Sequence, residues 1–197
     1  IREAGDLVVG FSGDGTLSVE DGGRVWDGTA IIGALPDATG TVNVSGPNSV
    51  WDSLEGLVVG AWGAGHLTIS DGGEVWSPEV FIGGMPLEMI GDDIDPDYTP
   101  TGTGVVTVTG AGSALEIWEA ASLYVGYSGT GTLDVNDAGY VSSLTAGIGA
   151  MPGSTGTATI TDPNSEWDNT GSVFVGGYGN GTLTVSNDIK KAAKDFA

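Results

Sequence analysis

A short repeat that returns along most of the chain limits its fold more than any other feature. Seven short apolar segments end in glycine, and each is followed by a second and, in most laps, a third strand-like segment. The seven glycines are Gly10, Gly33, Gly60, Gly83, Gly126, Gly149 and Gly176. In the regular laps they recur after 23 to 27 residues, and Leu57 follows Leu7 by 50 residues, so two laps make one module. Fixed periods of this length are typical of solenoids.

Within each segment, apolar residues alternate with other residues, which is the period of a β-strand. Leu7 and Val9 precede the first glycine, and Leu17 and Val19 follow in the second segment with Thr or Ser between them. The same positions are apolar in the later laps. We therefore predict an all-β parallel β-helix (β-solenoid) with three short strands per lap and about seven laps, stacked about 4.8 Å apart.

The repeat also sets the domain boundaries. Residues 1–186 are predicted to form the solenoid, interrupted by a loop insertion at about 87–101. Residues 187–197 depart from the repeat and carry three of the five Lys and Arg residues. They are predicted to form a short C-terminal helix that is either a cap or a junction, with Ile189, Ala193 and Phe196 on one face.

Composition excludes several classes of function. A formal charge of −21 argues against binding of nucleic acid and of anionic lipid surfaces. No apolar run reaches the roughly 20 residues of a membrane helix, so we expect no membrane insertion by this segment. The chain has no cysteine and no visible signal peptide, so in an exported protein it would be an internal piece of a longer chain.

Motifs that suggest chemistry have simpler explanations here. The pattern GxxGxG occurs four times, each time before a strand rather than the helix that a dinucleotide site requires. His66 is the only histidine and falls in an outward column of threonines. The strands show no cluster of carboxylates with Arg or Lys. We therefore expect no enzyme activity and no catalytic residues, with a carbohydrate-active β-helix enzyme as one alternative.

The insertion contains four closely spaced carboxylates, at Asp92, Asp93, Asp95 and Asp97. Alternating carboxylates can bind Ca²⁺, but the spacing lacks the glycine and terminal glutamate of an EF-hand loop. A solvated acidic loop is the favoured interpretation, with no cofactor expected and these aspartates as weak calcium candidates.

Two outward columns are candidate contact surfaces. The outer side of the first strands is predicted to be an exposed apolar stripe for self-association or contact with other surface proteins or glycans. Its members are Val8, Ile31, Val58, Phe81, Tyr124 and Phe174. Outward Thr ranks on the second strands leave an ice- or glycan-binding surface as a further alternative, although Asn43, His66, Val105 and Asp134 interrupt them.

The repeat resembles one found in bacterial type V secretion (autotransporter) passengers and PEP-CTERM-associated surface proteins. The matching residues run from Leu7 to Val25, continue through Ile32–Gly33 and Gly40–Val44, and end with Pro47–Trp51. The motif begins again at Leu57, Leu123 and Val173, while the insertion and the residues after Val185 depart from it. The resemblance implies a parallel β-helix, extracellular or on the bacterial cell surface. A non-catalytic structural or adhesive module is the function we expect.

Overall fold

The chain folds into two parallel sheets that wind around one core. The computed structural model describes residues 5–86, 101–118 and 121–186. One sheet, which we call the Thr sheet, stacks the second strand of every lap. Its seven strands are β2 (Asp14–Val19), β4 (Thr39–Ser45), β6 (Ala64–Ser70), β9 (Thr103–Thr109), β12 (Thr130–Asn136), β15 (Thr155–Thr161) and β18 (Asn180–Ser186).

The other sheet, which we call the wide sheet, contains the third strand of each lap and the first strand of the next. These run together without a break in β3 and β5, and form separate strands in the later laps. The eleven strands are β1 (Leu7–Val9), β3 (Arg24–Ile32), β5 (Val50–Val59), β7 (Glu74–Ser77), β8 (Val80–Ile82), β10 (Ala114–Ile117), β11 (Ser122–Val125), β13 (Tyr140–Ser143), β14 (Thr145–Ile148), β16 (Glu166–Asn169) and β17 (Val173–Val175).

The strand pairing confirms the predicted parallel β-solenoid and its register. Leu67 of β6 pairs with Val42 on one side and Val106 on the other, and Val59 pairs with Ile32 and Ile82. The seven strands of the Thr sheet correspond to about six turns of the chain. The inward columns of both sheets form one continuous cluster of buried Val, Leu and Ile side chains. Burial of these stacked columns is the main stabilisation of the fold.

The glycine that ends each first strand is required by both backbone conformation and space. Gly60 has φ of 74°, in the left-handed region that favours glycine. A Cβ placed there would lie 2.1 Å from the carbonyl oxygen of Thr103 in the neighbouring corner. This corner therefore packs backbone against backbone, which explains why the glycine column survives every lap.

The corner after each Thr-sheet strand uses a different device. Asp21 and Asn48 adopt positive φ of 53° and 65°, a conformation that short polar side chains tolerate. The hydroxyl of Ser49 accepts a hydrogen bond from the amide of Gly22, one lap away, at 3.0 Å. Equivalent bonds join Gly72 to Ser113 and Ala138 to Ser165. These bonds tie successive laps together at the corners.

Two predicted segments lie outside the described residues: the C-terminal helix at 187–197, and most of the insertion, including all four calcium candidates. In laps two, four and six, a tight corner that begins with a Pro follows the first strand. The insertion lies in this corner of lap four. The carbonyl oxygen of Gly102 accepts a backbone hydrogen bond from the amide of Thr130 in the next lap. The carbonyl oxygens of Ala38 and Ser154 accept the equivalent bonds in the other two corners. This bond between laps is therefore kept, but the amide of Gly102 donates to Ala61, whereas the equivalent amides of Ala38 and Ser154 donate within their own corners.

Candidate interaction surfaces

The outward face of the Thr sheet has the interrupted ranks that the sequence predicts. Thr41 pairs with His66, and His66 pairs with Val105, so the first outward column is not an unbroken row of hydroxyls. Asp134 interrupts the second column between Thr107 and Thr159. His66 is exposed on this face, as predicted. A flat hydroxyl array of uniform chemistry is therefore absent from this described sheet.

The outer column of the first strands differs from the exposed stripe expected. Val8 and Phe174 are exposed, and Ile31 and Tyr124 are half-buried. Val58 and Phe81 are buried, with Phe81 only 2% exposed, so the expectation of exposure is wrong for these two. The column does lie outside the main core, in a second apolar cluster.

Residues from the glycine corners cover the middle of that column. Ala61 and Met85 are buried against Val58 and Phe81, and Trp62 and Tyr127 pack beside them. The ring of Phe81 stacks on Tyr124 with centroids 5.2 Å apart and meets the edge of Tyr127 at 5.0 Å. Offset and edge-to-face pairs at these distances are favourable beyond simple burial. The corner side chains therefore turn the middle of the expected contact surface into a small external core.

Beyond this cluster the column opens into a cleft, because Gly147 has no side chain to continue the aromatic stack. The cleft has a volume of about 420 Å³ and contains no charged residue. Its lining residues are Tyr124, Gly147, Ala150, Phe174, Gly177 and Tyr178. Phe174 is 60% exposed and Tyr178 is 81% exposed beside this apolar cleft. Both lie in the last described lap, where the inward residues Val173 and Val185 are exposed as well, because a described strand pairs with this lap on one side only.

A buried polar group at the end of the third strands was missed by the sequence interpretation. Asp27 is 1% exposed and accepts hydrogen bonds from Trp51 Nε1 at 2.6 Å and from Ser53 Oγ at 2.8 Å. Burial raises the pKa of Asp27, although the two hydrogen bonds act against this change. The signal was present in the sequence, because Asp27 lies two residues after Val25 and so shares its inward face.

The same arrangement returns near the other end of the solenoid with neutral groups. Trp167 Nε1 donates to Ser143 Oγ at 3.0 Å, and Ser143 Oγ donates to Asn169 at 2.8 Å. In both places a core tryptophan bonds to a polar side chain in the preceding lap. The arrangement satisfies the indole N–H inside the core, and its position gives it a structural role.

Another surface that the sequence interpretation did not single out is the outward face of the third strands. One column there runs Trp26, Asp52, Trp76, Glu116, Ser142 and Asp168 in continuous register. Around Trp76, which is 37% exposed, lies a shallow cleft of about 250 Å³. It is lined by Asp52, Leu54, Trp76, Glu116 and Trp118.

The carboxyl groups in this cleft are perturbed. Burial raises the pKa of Asp52, and its Oδ1 atom is enclosed without a hydrogen-bond partner among the described residues. Partial burial and the charge of Glu74 raise the pKa of Glu116. Both ionised forms are therefore less well stabilised than in water.

Within residues 5–86, 101–118 and 121–186, no three His, Asp or Glu side chains are grouped so as to hold a metal ion. The same residues contain no helix of the length and apolarity that spanning a membrane requires. Comparison of the chain with family models, with curated proteins and with solved structures found no match.

Proposed function

We propose that this chain is a non-catalytic structural and adhesive module of an exported bacterial repeat protein, located outside the cell or on its surface. The observation that carries the adhesive part is the uncharged aromatic cleft beside Phe174 and Tyr178. The resemblance of the repeat to autotransporter passengers and PEP-CTERM-associated proteins supports the location. The continuous stack of laps supports a rod that holds a contact face in a fixed orientation.

The occupant we propose for the cleft is the same surface of a second copy. Exposed aromatic side chains next to an apolar cleft are self-complementary, because Phe174 or Tyr178 of one copy can enter the cleft of the other. Such an isologous contact closes as a dimer rather than growing into a fibre. Burial of apolar surface stabilises a contact by about 25 cal/mol per Å². Because the cleft is small, the dimer contact is expected to be weak.

The charge of the chain opposes this contact at low salt. The formal charge of −21 makes two copies repel one another at long range. At about 0.15 M salt the Debye length falls to about 8 Å, and most of this repulsion is screened while the contact between uncharged residues is unaffected. Self-association is therefore expected to strengthen as salt is added, opposite to the salt dependence of an ion-paired interface.

Sedimentation velocity over a concentration series at low and high salt tests the proposal. The variant Phe174→Ser/Tyr178→Ser should stay monomeric under conditions in which the wild type associates. Phe11→Ser is the matched control, because Phe11 is 62% exposed but lies in the first lap, away from the cleft. If wild type and double variant sediment alike at every salt and concentration, the cleft is not a self-association surface.

A further inference from the structure

The cleft around Trp76 combines charged, aromatic and apolar side chains, and this combination indicates the chemical class of ligand that it binds. Trp76 of β7 pairs with Asp52 of β5 on one side and with Glu116 of β10 on the other. Strands in a sheet lie about 4.8 Å apart, so a group resting against Trp76 has a carboxylate on each side within one strand spacing. Glu74 adds a third negative charge near Glu116.

The electrostatics of this cleft favour a positively charged occupant. Asp52 is partly desolvated, and this burial raises the pKa of its carboxyl group. A nearby opposite charge stabilises such carboxylates, whereas an anion would be repelled by the cleft and by the whole chain. An indole ring also attracts cations through its negative face. A neutral ligand would leave both the charge and the ring without this interaction.

The remaining walls indicate what carries the charge. Leu54 is exposed on the same face, and Trp118 also lines the cleft. These two side chains offer apolar surface next to the charged groups. Amphipathic cations such as lysine bury an aliphatic stem along apolar surface while the charged end contacts polar groups.

We propose that this cleft binds an organic cation, an ammonium or guanidinium group on an aliphatic stem, with the cation against Trp76 between Asp52 and Glu116 and the stem along Leu54 and Trp118. The site goes beyond the proposed self-association, because it lies on the third strands of the wide sheet and shares no residue with the aromatic cleft. Free polyamines and lysine or arginine side chains of another protein carry the same chemistry.

Calorimetric titration with two probes tests the site and distinguishes these sources. Spermidine represents a free polyamine, and Nα-acetyl-lysine methylamide represents a protein side chain. Both titrations use the full chain, and Trp fluorescence provides an independent readout. For at least one probe, we expect saturable binding that the double variant Asp52→Asn/Glu116→Gln weakens at least tenfold, because two charge-assisted contacts are lost.

The matched control is Asp168→Asn, which removes a carboxylate from the same outer column two laps beyond Glu116. It should leave binding nearly unchanged. Equal weakening by this control would mean that the general negative field alone attracts the probes. Unchanged affinity in the double variant would also overturn the proposal, as would equally tight binding of the uncharged Nα,Nε-diacetyl-lysine methylamide. Binding of spermidine alone identifies a polyamine site, and binding of the lysine derivative identifies a site for protein side chains.

Discussion

Replacement of Asp27 tests how polar groups stabilise the interior of this solenoid. Both donors that bond to its carboxylate are buried, and Trp51 is fully enclosed in the core. Asp27→Ala removes the acceptor and leaves the indole N–H without a partner. An orphaned buried donor costs about 1–3 kcal/mol, and hydrogen bonds to charged groups contribute about 1.5–3 kcal/mol. We expect a loss of about 3 kcal/mol in the free energy of unfolding, measured with urea at neutral pH.

Asp27→Asn is the matched variant, because its amide accepts from Trp51 and donates to the Ser53 hydroxyl. It should lose much less stability than Asp27→Ala. The pKa of Asp27 is raised above its ordinary value of 3.8 by burial, so the folded state holds this proton to higher pH than the unfolded state. The Asp27 contribution therefore stabilises the wild type at low pH and is lost as pH rises from 3.8 through the folded pKa.

The assay is urea unfolding of wild type and Asp27→Asn from about pH 3 to about pH 7. The stability of the wild type relative to the variant should fall as pH rises. A stability difference that is constant over this range would refute the linkage argument. Full stability of Asp27→Ala would refute the structural role of the two hydrogen bonds.

Three further predictions concern the fold. Ile69→Asp should lower the free energy of unfolding by several kcal/mol, because it buries an unpaired charge. The adjacent Thr68→Asp should cost little, because Thr68 faces outward. Equal losses of melting temperature in the two variants would contradict the assignment of faces. Gly60→Ala should cost more than about 2 kcal/mol through its positive φ and its close contact with Thr103, whereas Gly13→Ala, with open space around it, should be nearly neutral by urea unfolding. Replacing residues 87–101 by one glycine should restore the short corner of laps two and six and leave the circular dichroism spectrum unchanged. Calcium should raise the melting temperature of neither protein, and a rise confined to the intact chain would show that the acidic loop binds it.

The alternation of residue types was sufficient to predict the laps, their register and the inward columns. It predicted the main core well because each inward position repeats in every lap, so one substitution such as Trp51 for Val25 does not hide the pattern. The sequence pattern is strong wherever the same requirement, an apolar side chain that faces the core, recurs in every lap.

The exposure of the outer column could not be predicted in the same way. Alternation tells which face of a strand a residue occupies, but not whether something else covers that face. Trp62 and Tyr127 follow the corner glycines; Tyr127 meets the ring of Phe81, and Trp62 packs against the same apolar cluster. Interpreting GxxGxG as a backbone turn alone ignored these aromatic side chains. The open cleft was equally hidden, since it depends on a single glycine between two aromatic residues of the same column.

Hydroxyl-radical footprinting of wild type at low and high salt tests the proposed contact most directly. Phe174, Tyr178 and the neighbouring Met151 are exposed and oxidise readily, and Trp76, on the third strands, serves as the internal control. The account predicts that oxidation of Phe174, Tyr178 and Met151 falls as salt and protein concentration rise, while oxidation of Trp76 stays constant. Unchanged oxidation of these three residues under conditions in which the protein associates would contradict the account, because the contact would then lie elsewhere.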